Sequence, residues 1–110
     1  MKIADYERNV IGLLCNEALP NSILYNALNH PKRIECKFTG AGYYLDIYHK
    51  DLPLDRIVCD KPIVTGKYQG IEVGFIIFIE KGTLCLECYN YGSKGVPPEI
   101  RHGIVEVATK

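Results

Sequence analysis

The chain predicts an α+β fold in which an N-terminal helix pair packs on one face of an antiparallel β-sheet of about five to seven strands. Three observations carry this reading. Apolar residues recur every three or four positions up to Pro31 and every second position after it, so helices come first and strands follow. The strand-like segments are joined by short connections, which suits antiparallel neighbours, and helices gathered at one end of a sequence are the α+β arrangement. The third is Ile71 to Gly92, which reads as a long hairpin whose register can be solved. A two-residue turn at Lys81-Gly82 sets Glu80 opposite Thr83 and then pairs Ile79/Leu84, Phe78/Cys85, Ile77/Leu86, Ile76/Glu87, Phe75/Cys88 and Gly74/Tyr89. Side chains alternate along a strand, so one face collects Phe75, Ile77, Ile79, Leu84, Leu86 and Cys88 and is wholly apolar. The other mixes Phe78, Ile76 and Cys85 with Glu87 and Tyr89, a surface for solvent or a partner.

The elements follow in order. Ile3, Tyr6, Val10, Leu13 and Leu14 form the apolar stripe of a first helix between Ile3 and Glu17, which Gly12 weakens without forbidding. Pro20 or Asn21 opens a second helix with Ile23, Leu24, Ala27 and Leu28 inward. His30-Pro31 closes it, because the residue before proline is pushed out of the helical region. Ile34, Cys36 and Phe38 then alternate with Glu35, Lys37 and Thr39 as a strand, Gly40-Ala41-Gly42 turns the chain, and Tyr43 to His49 returns. This second strand sends Tyr43, Leu45 and Ile47 one way and Tyr44, Asp46 and Tyr48 the other. Asp51 to Asp55 is a connection. Arg56 to Cys59 and Pro62 to Tyr68 read as two short strands, the second opening on a proline. After the hairpin come a Gly/Pro-rich loop, Gly92 to Pro98, and a last strand from Ile104 to Val107.

Size and composition narrow the function classes. The 110 residues fit one domain spanning the chain, large enough to bury roughly two-thirds of its unfolded surface without a metal or disulfide. Lys plus Arg and Asp plus Glu both number 13, which removes the global basic field that nonspecific nucleic-acid binding requires. Asp5, Glu7 and Arg8 precede any apolar run, as no secretory leader would have them, and no stretch approaches a membrane span. The expectation is a cytoplasmic protein with no nucleic-acid or membrane partner. Five cysteines, an odd number, do not make a disulfide framework; they read as small buried hydrophobes kept reduced.

No catalytic, metal or cofactor site emerges. Cys85 and Cys88 have the CxxC spelling, but in a strand an offset of three points them to opposite faces, and no second ligand pair completes a site. His30, His49 and His102 sit at a helix end, a strand end and after a loop, with nothing to link them to a nucleophile. Gly40-Ala41-Gly42 lacks the following helix and glycine of a phosphate loop and reads as a hairpin turn. The tyrosines stand out instead. The chain has eight Tyr and no Trp, and Tyr44, Tyr48, Tyr68, Tyr89 and Tyr91 fall on outward rows or loops among Asp46, Asp51, Asp55, Asp60, Glu72 and Glu87. Tyrosine offers large contact area with a polar tip at low entropic cost, which suits a binding surface, although outward tyrosines also simply favour strands.

The segment VGFIIFIEKGTLCLECYNYGSKGVPPEI, preceded by RIVCDKPIVTG, resembles the C-terminal half of small bacterial immunity proteins of polymorphic toxin systems, including contact-dependent growth inhibition (CDI). The resembling features are Gly74 to Gly82, Leu86 to Gly92 and Val96-Pro97, about a third of the chain. The resemblance implies a cytosolic antitoxin that binds the C-terminal toxin domain of a cognate delivered effector, often a nuclease, and blocks it without an active site or cofactor. Under that reading the toxin-binding residues are Tyr44, Asp46 and Tyr48, then Glu87, Tyr89 and Tyr91, and the protein is a monomer or a 1:1 complex with the toxin. The alternatives are a small cytosolic Cys/His enzyme and a homodimeric structural domain paired through an edge strand or the mixed face of the hairpin.

Overall fold

The hairpin lies at the centre of the sheet, with the pairing the alternation dictates. β4 (Ile71–Glu80) and β5 (Thr83–Asn90) meet in the register Glu80/Thr83, Ile79/Leu84 and onward to Gly74/Tyr89. The turn between them has positive φ at both Lys81 (53°) and Gly82 (74°), the twist that matches paired strands. The computed structural model describes residues 1–92 and 95–110. Among them are two α-helices, α1 (Asp5–Cys15) and α2 (Asn21–Asn29), a 3₁₀ helix (Pro98–His102), and four further strands. These are β1 (Arg33–Phe38), β2 (Gly42–Tyr48), β3 (Ile57–Tyr68) and β6 (Glu106–Thr109). The sheet order is β1-β2-β5-β4-β3-β6 and every pairing is antiparallel. The architecture is therefore the predicted α+β arrangement, two N-terminal helices on a six-stranded sheet. No helix of the described residues is long and apolar enough to cross a membrane.

The core lies between helices and sheet. Phe75, Ile77, Ile79, Leu84, Leu86 and Cys88 are all buried, joined by Tyr43, Leu45 and Ile47 of β2 and by Val10, Ile11, Leu14 and Cys15 of α1. Burial of each large aliphatic side chain stabilises the fold by about 1.5–3 kcal/mol. α1 lies against β3 and β4, and α2 reaches β2. α2 stops where Pro31 requires: the His30 N–H still bonds to the Asn26 carbonyl, but His30 has left helical geometry (φ −133°, ψ 50°).

Four details depart from the sequence reading. Leu13, placed in the α1 stripe, is more than a third exposed, while Ile11 is sealed. The helix is turned so that Glu7 points inward, which carries the buried stripe toward Glu7 and Ile11 and leaves Leu13 on its flank. The two short strands predicted around Pro62 are one twelve-residue strand, β3, whose pairing with β4 shifts register between Cys59 and Val64. Pro62, which has no N–H to give a ladder, sits inside that break. The last strand starts two residues late: the 3₁₀ helix and Gly103 occupy the approach, pairing begins with Glu106 opposite Lys67, and Ile104 is almost fully exposed. Tyr68, read as outward, is buried, its ring packed where a Cβ on Gly103 would sit. The predicted Gly92–Pro98 loop includes residues 93–94, which lie outside the described residues.

Candidate protein-binding face

The sheet surface opposite the helices is built by strand register. Tyr44 stands opposite Glu87, Asp46 opposite Cys85 and Tyr48 opposite Thr83 across the β2–β5 pair. Across β5 and β4, Glu87 faces Ile76, Cys85 faces Phe78 and Tyr89 faces Gly74. Alternation therefore puts Tyr44, Asp46, Tyr48, Glu87 and Tyr89, five of the six residues singled out from the sequence, on one continuous surface. All five are exposed or half-buried, while their neighbours Tyr43, Leu45, Ile47, Leu86 and Cys88 are sealed on the other side. Tyr91 lies just past β5, its ring centroid 6.3 Å from that of Tyr89 and the Lys110 Nζ 4.8 Å from its own.

Gly74 explains how Tyr89 is held. A Cβ built there would lie 2.3 Å from the tyrosine Cζ, so the ring rests flat on the bare backbone of the neighbouring strand. Burial, foremost, and the nearby Tyr91 and Glu87 push the Tyr89 hydroxyl above the usual phenol range, so it serves as a neutral hydrogen-bonding tip.

Charge on this face is unevenly paired. Arg33 donates from Nε to Glu35 at 2.7 Å and stacks its guanidinium 4.2 Å over the Tyr48 ring. Arg56 bonds Glu80 at 3.0 Å and lies 5.1 Å over Phe78. Exposed pairs of this kind add little stability. Their effect is to occupy the arginines at the margin, whereas Asp46 and Glu87 at the centre have no ion pair among the described residues. Beside them runs an apolar strip of Ile76, Phe78 and the half-exposed Val58, which β3 sets opposite Phe78. Tyrosines, two unpaired carboxylates and an apolar strip thus share one open surface. Such a surface can bury aromatic anchors and recognise a cationic group, the ingredients from which protein–protein hot spots are made.

Among the cysteines, the buried Cys15 and Cys59 thiols share a hydrogen bond in the core. Cys85 and Cys88 point to opposite faces, as the offset requires: Cys88 is in the core, and Cys85 is half-buried beside Asp46. Burial, then the Asp46 carboxylate, pushes the Cys85 thiol up to about 12; burial, then Glu7, does the same for Cys88. Burial also raises Cys15, Cys36 and Cys59. His49 accepts the Asp51 N–H through Nδ1, and His30 packs edge-on against Tyr25. Among the described residues no three His, Cys, Asp or Glu side chains converge as metal ligands.

A buried polar cluster escaped the sequence reading. Glu7, with no exposed surface, accepts Nε–H of Arg101 on Oε2 and Nη2–H on Oε1, each at 2.8 Å. It also accepts the Tyr43 hydroxyl at 2.5 Å and the Ala4 backbone N–H at 2.8 Å. Tyr6 and Tyr43 share a hydroxyl–hydroxyl bond, and Arg101 Nη2 also donates to the Lys2 carbonyl. The Glu7 carboxylate holds the guanidinium firmly charged, and burial raises both phenols. The only local signal was half of a capping box: Glu7 stands at the third helical position, but Ala4 has no side-chain acceptor to complete it. The partner lies 94 residues away.

No protein-family model matches the chain, and no curated protein or solved structure matches it either.

Proposed function

We propose that this protein is an immunity protein of the contact-dependent growth inhibition type, which binds the C-terminal toxin domain of a cognate effector in the cytoplasm and blocks it. The observation that carries the reading is the open sheet face, where Tyr44, Tyr48 and Tyr89 surround the unpaired carboxylates of Asp46 and Glu87. Aromatic side chains fixed on strands lose little entropy on binding, and carboxylates left without partners favour a basic protein surface such as a nuclease domain presents. The resemblance of Gly74–Gly82 and Leu86–Gly92 to immunity proteins falls on the two strands that form the middle of this face. Inhibition by occlusion asks for affinity, not for a catalytic group or cofactor, and nanomolar binding corresponds to about 12 kcal/mol.

The test is co-expression with the adjoining toxin domain, followed by calorimetry on the purified pair. The expected result is a stoichiometric complex that Asp46→Ala with Tyr48→Ala weakens by more than about 2 kcal/mol, or roughly thirtyfold, with the fold intact. Unchanged affinity in that double variant removes this face from the reading; failure to form any complex removes the immunity role.

A further inference from the structure

The sheet ends on β1 with a backbone edge left open. The Asn90 N–H bonds to the Ala41 carbonyl and the His49 N–H to the Gly82 carbonyl, so odd-numbered residues of β2 turn their backbone groups to β5 and even-numbered ones to β1. In the β1–β2 register those even-numbered residues face Arg33, Glu35, Lys37 and, just past the strand, Thr39, whose N–H bonds to the Gly42 carbonyl. The N–H and C=O groups of Ile34, Cys36 and Phe38 therefore point away from the sheet, and no turn or loop backbone among the described residues meets them. The opposite edge, β6, is only four residues long, as guarded edges tend to be.

The side chains along this edge are incompletely covered as well. Ile34, Cys36 and Phe38 stand opposite Ile47, Leu45 and Tyr43 on the core side; those three are sealed, but Ile34 and Cys36 are half-buried and Phe38 is 46% exposed. On the tyrosine side β1 carries Arg33, Glu35 and Lys37, an order of charges that complements its own antiparallel copy. A two-fold axis through Cys36 sets Cys36 against itself and Ile34 against Phe38 of the second copy, pairs whose free backbone groups can bond in both directions. The same axis puts Glu35 opposite Lys37 of the second copy, on both sides of the axis, in the intervening pairs where side chains lie closest. Backbone alternation allows slippage only by two residues at a time. A slip one way sets Glu35 on Glu35 and Arg33 on Lys37; a slip the other way sets Lys37 on Lys37. Larger slips run most of β1 off its partner, so charge selects a single register.

We infer that a second copy of this chain adds to the β1 edge, joining two sheets into one continuous antiparallel sheet about a two-fold axis through Cys36. The inference goes beyond the immunity reading and neither rests on the other, since none of the residues assigned to toxin binding lies on β1 and each copy keeps its own tyrosine face. The test is sedimentation velocity of the full chain over about 5–500 µM, in reductant so that a Cys36 disulfide plays no part. The unaltered chain is expected to dimerise reversibly with Kd at or below about 100 µM, as suits a small interface. Glu35→Lys and Lys37→Glu, each of which brings like charges face to face, should each weaken the dimer at least tenfold. Mixed in equal amounts, the two variants should dimerise again, because each then meets the opposite charge. The double variant should behave like the unaltered chain. Both side chains are open to solvent, and circular dichroism of each variant verifies that the fold is kept. An unaltered chain that stays monomeric, single variants that dimerise as tightly as it does, or a mixture that stays monomeric each overturns the inference.

Discussion

Replacing Glu7 by alanine should be among the most damaging single changes this chain can suffer. Four donors converge on its carboxylate, two from Arg101, one from Tyr43 and one from the Ala4 backbone. Two of them find relief when it goes: the Tyr43 hydroxyl keeps Tyr6, and the Ala4 N–H is only part-buried and can turn to water. Arg101 cannot. Its guanidinium is nearly sealed and keeps its charge, and a buried charge stripped of its partner costs about 3–5 kcal/mol. Against a total stability of about 5–15 kcal/mol for a domain of this size, that is a fifth or more. At 4 °C or more per kcal/mol, the melting temperature should fall by roughly 12–20 °C. Glu7→Gln, which keeps the volume but turns an NH₂ toward the donors, should cost about 2–3 kcal/mol. The assay is urea unfolding followed by far-UV circular dichroism. Adding Arg101→Met to Glu7→Ala should recover at least about 1 kcal/mol, because the stranded charge is then gone. A loss below about 1 kcal/mol for Glu7→Ala at an unchanged m-value would refute the reasoning.

Three further outcomes are expected. Stability should fall as pH rises from about 9 toward 12, because the unfolded chain sheds the Cys88 proton before the folded chain does; that thiol's share of the slope is at most about 1.4 kcal/mol per pH unit, and Cys88→Ala should remove that share in urea melts across the range while the other buried thiols and phenols keep theirs. Two glycines should behave oppositely: Gly42→Ala drives its Cβ to within van der Waals overlap of the Cys88 carbonyl oxygen, at φ 151°, and should cost about 3 kcal/mol or more, while Gly74→Ala meets only the far end of Tyr89 and should cost about 1 kcal/mol or less. The second variant swings that ring off the face, so under the proposed immunity role toxin affinity should drop in calorimetry although the melting temperature barely moves. Near neutral pH, Cys15, Cys59 and Cys88 should stay unreactive to a thiol reagent until denaturant is added, since all three are buried; a fast-reacting thiol among them in the native protein would contradict the packing.

What the sequence disclosed follows the range of the interactions involved. The β4–β5 register was legible to the residue because two alternating rows and one two-residue turn determine it locally, and both faces of the hairpin follow from it. The outward row of β2 was legible for the same reason. That Tyr44 would stand beside Glu87 was not, because β2 and β5 are joined by no turn and nothing in either strand names its neighbour. Glu7 defeated the reading through a sound rule: acidic residues stay outside unless paired, and the pairing arginine is distant in sequence. Leu13 was misplaced as a direct result. Around Pro62 the rule that proline interrupts a ladder held, but the chain resumed the same strand beyond the register shift instead of starting another.

The nesting of the sheet sets an order of assembly. β4 and β5 lie innermost, β3 joins β4 across a two-residue turn, and β2 then closes on β5 over a long stretch of chain. During synthesis the helices and the β1–β2 hairpin emerge first and wait with their apolar face uncovered until β5 is made. Arg101 comes later still, so a ribosome must have translated nearly everything described here before the buried Glu7 receives its counter-charge. A stalled or clipped chain ending before Arg101 would carry every residue of the tyrosine face and still lack the group that holds its first helix in place. Such a fragment should be cleared by proteases, so that the cell accumulates only chains whose synthesis has passed that point.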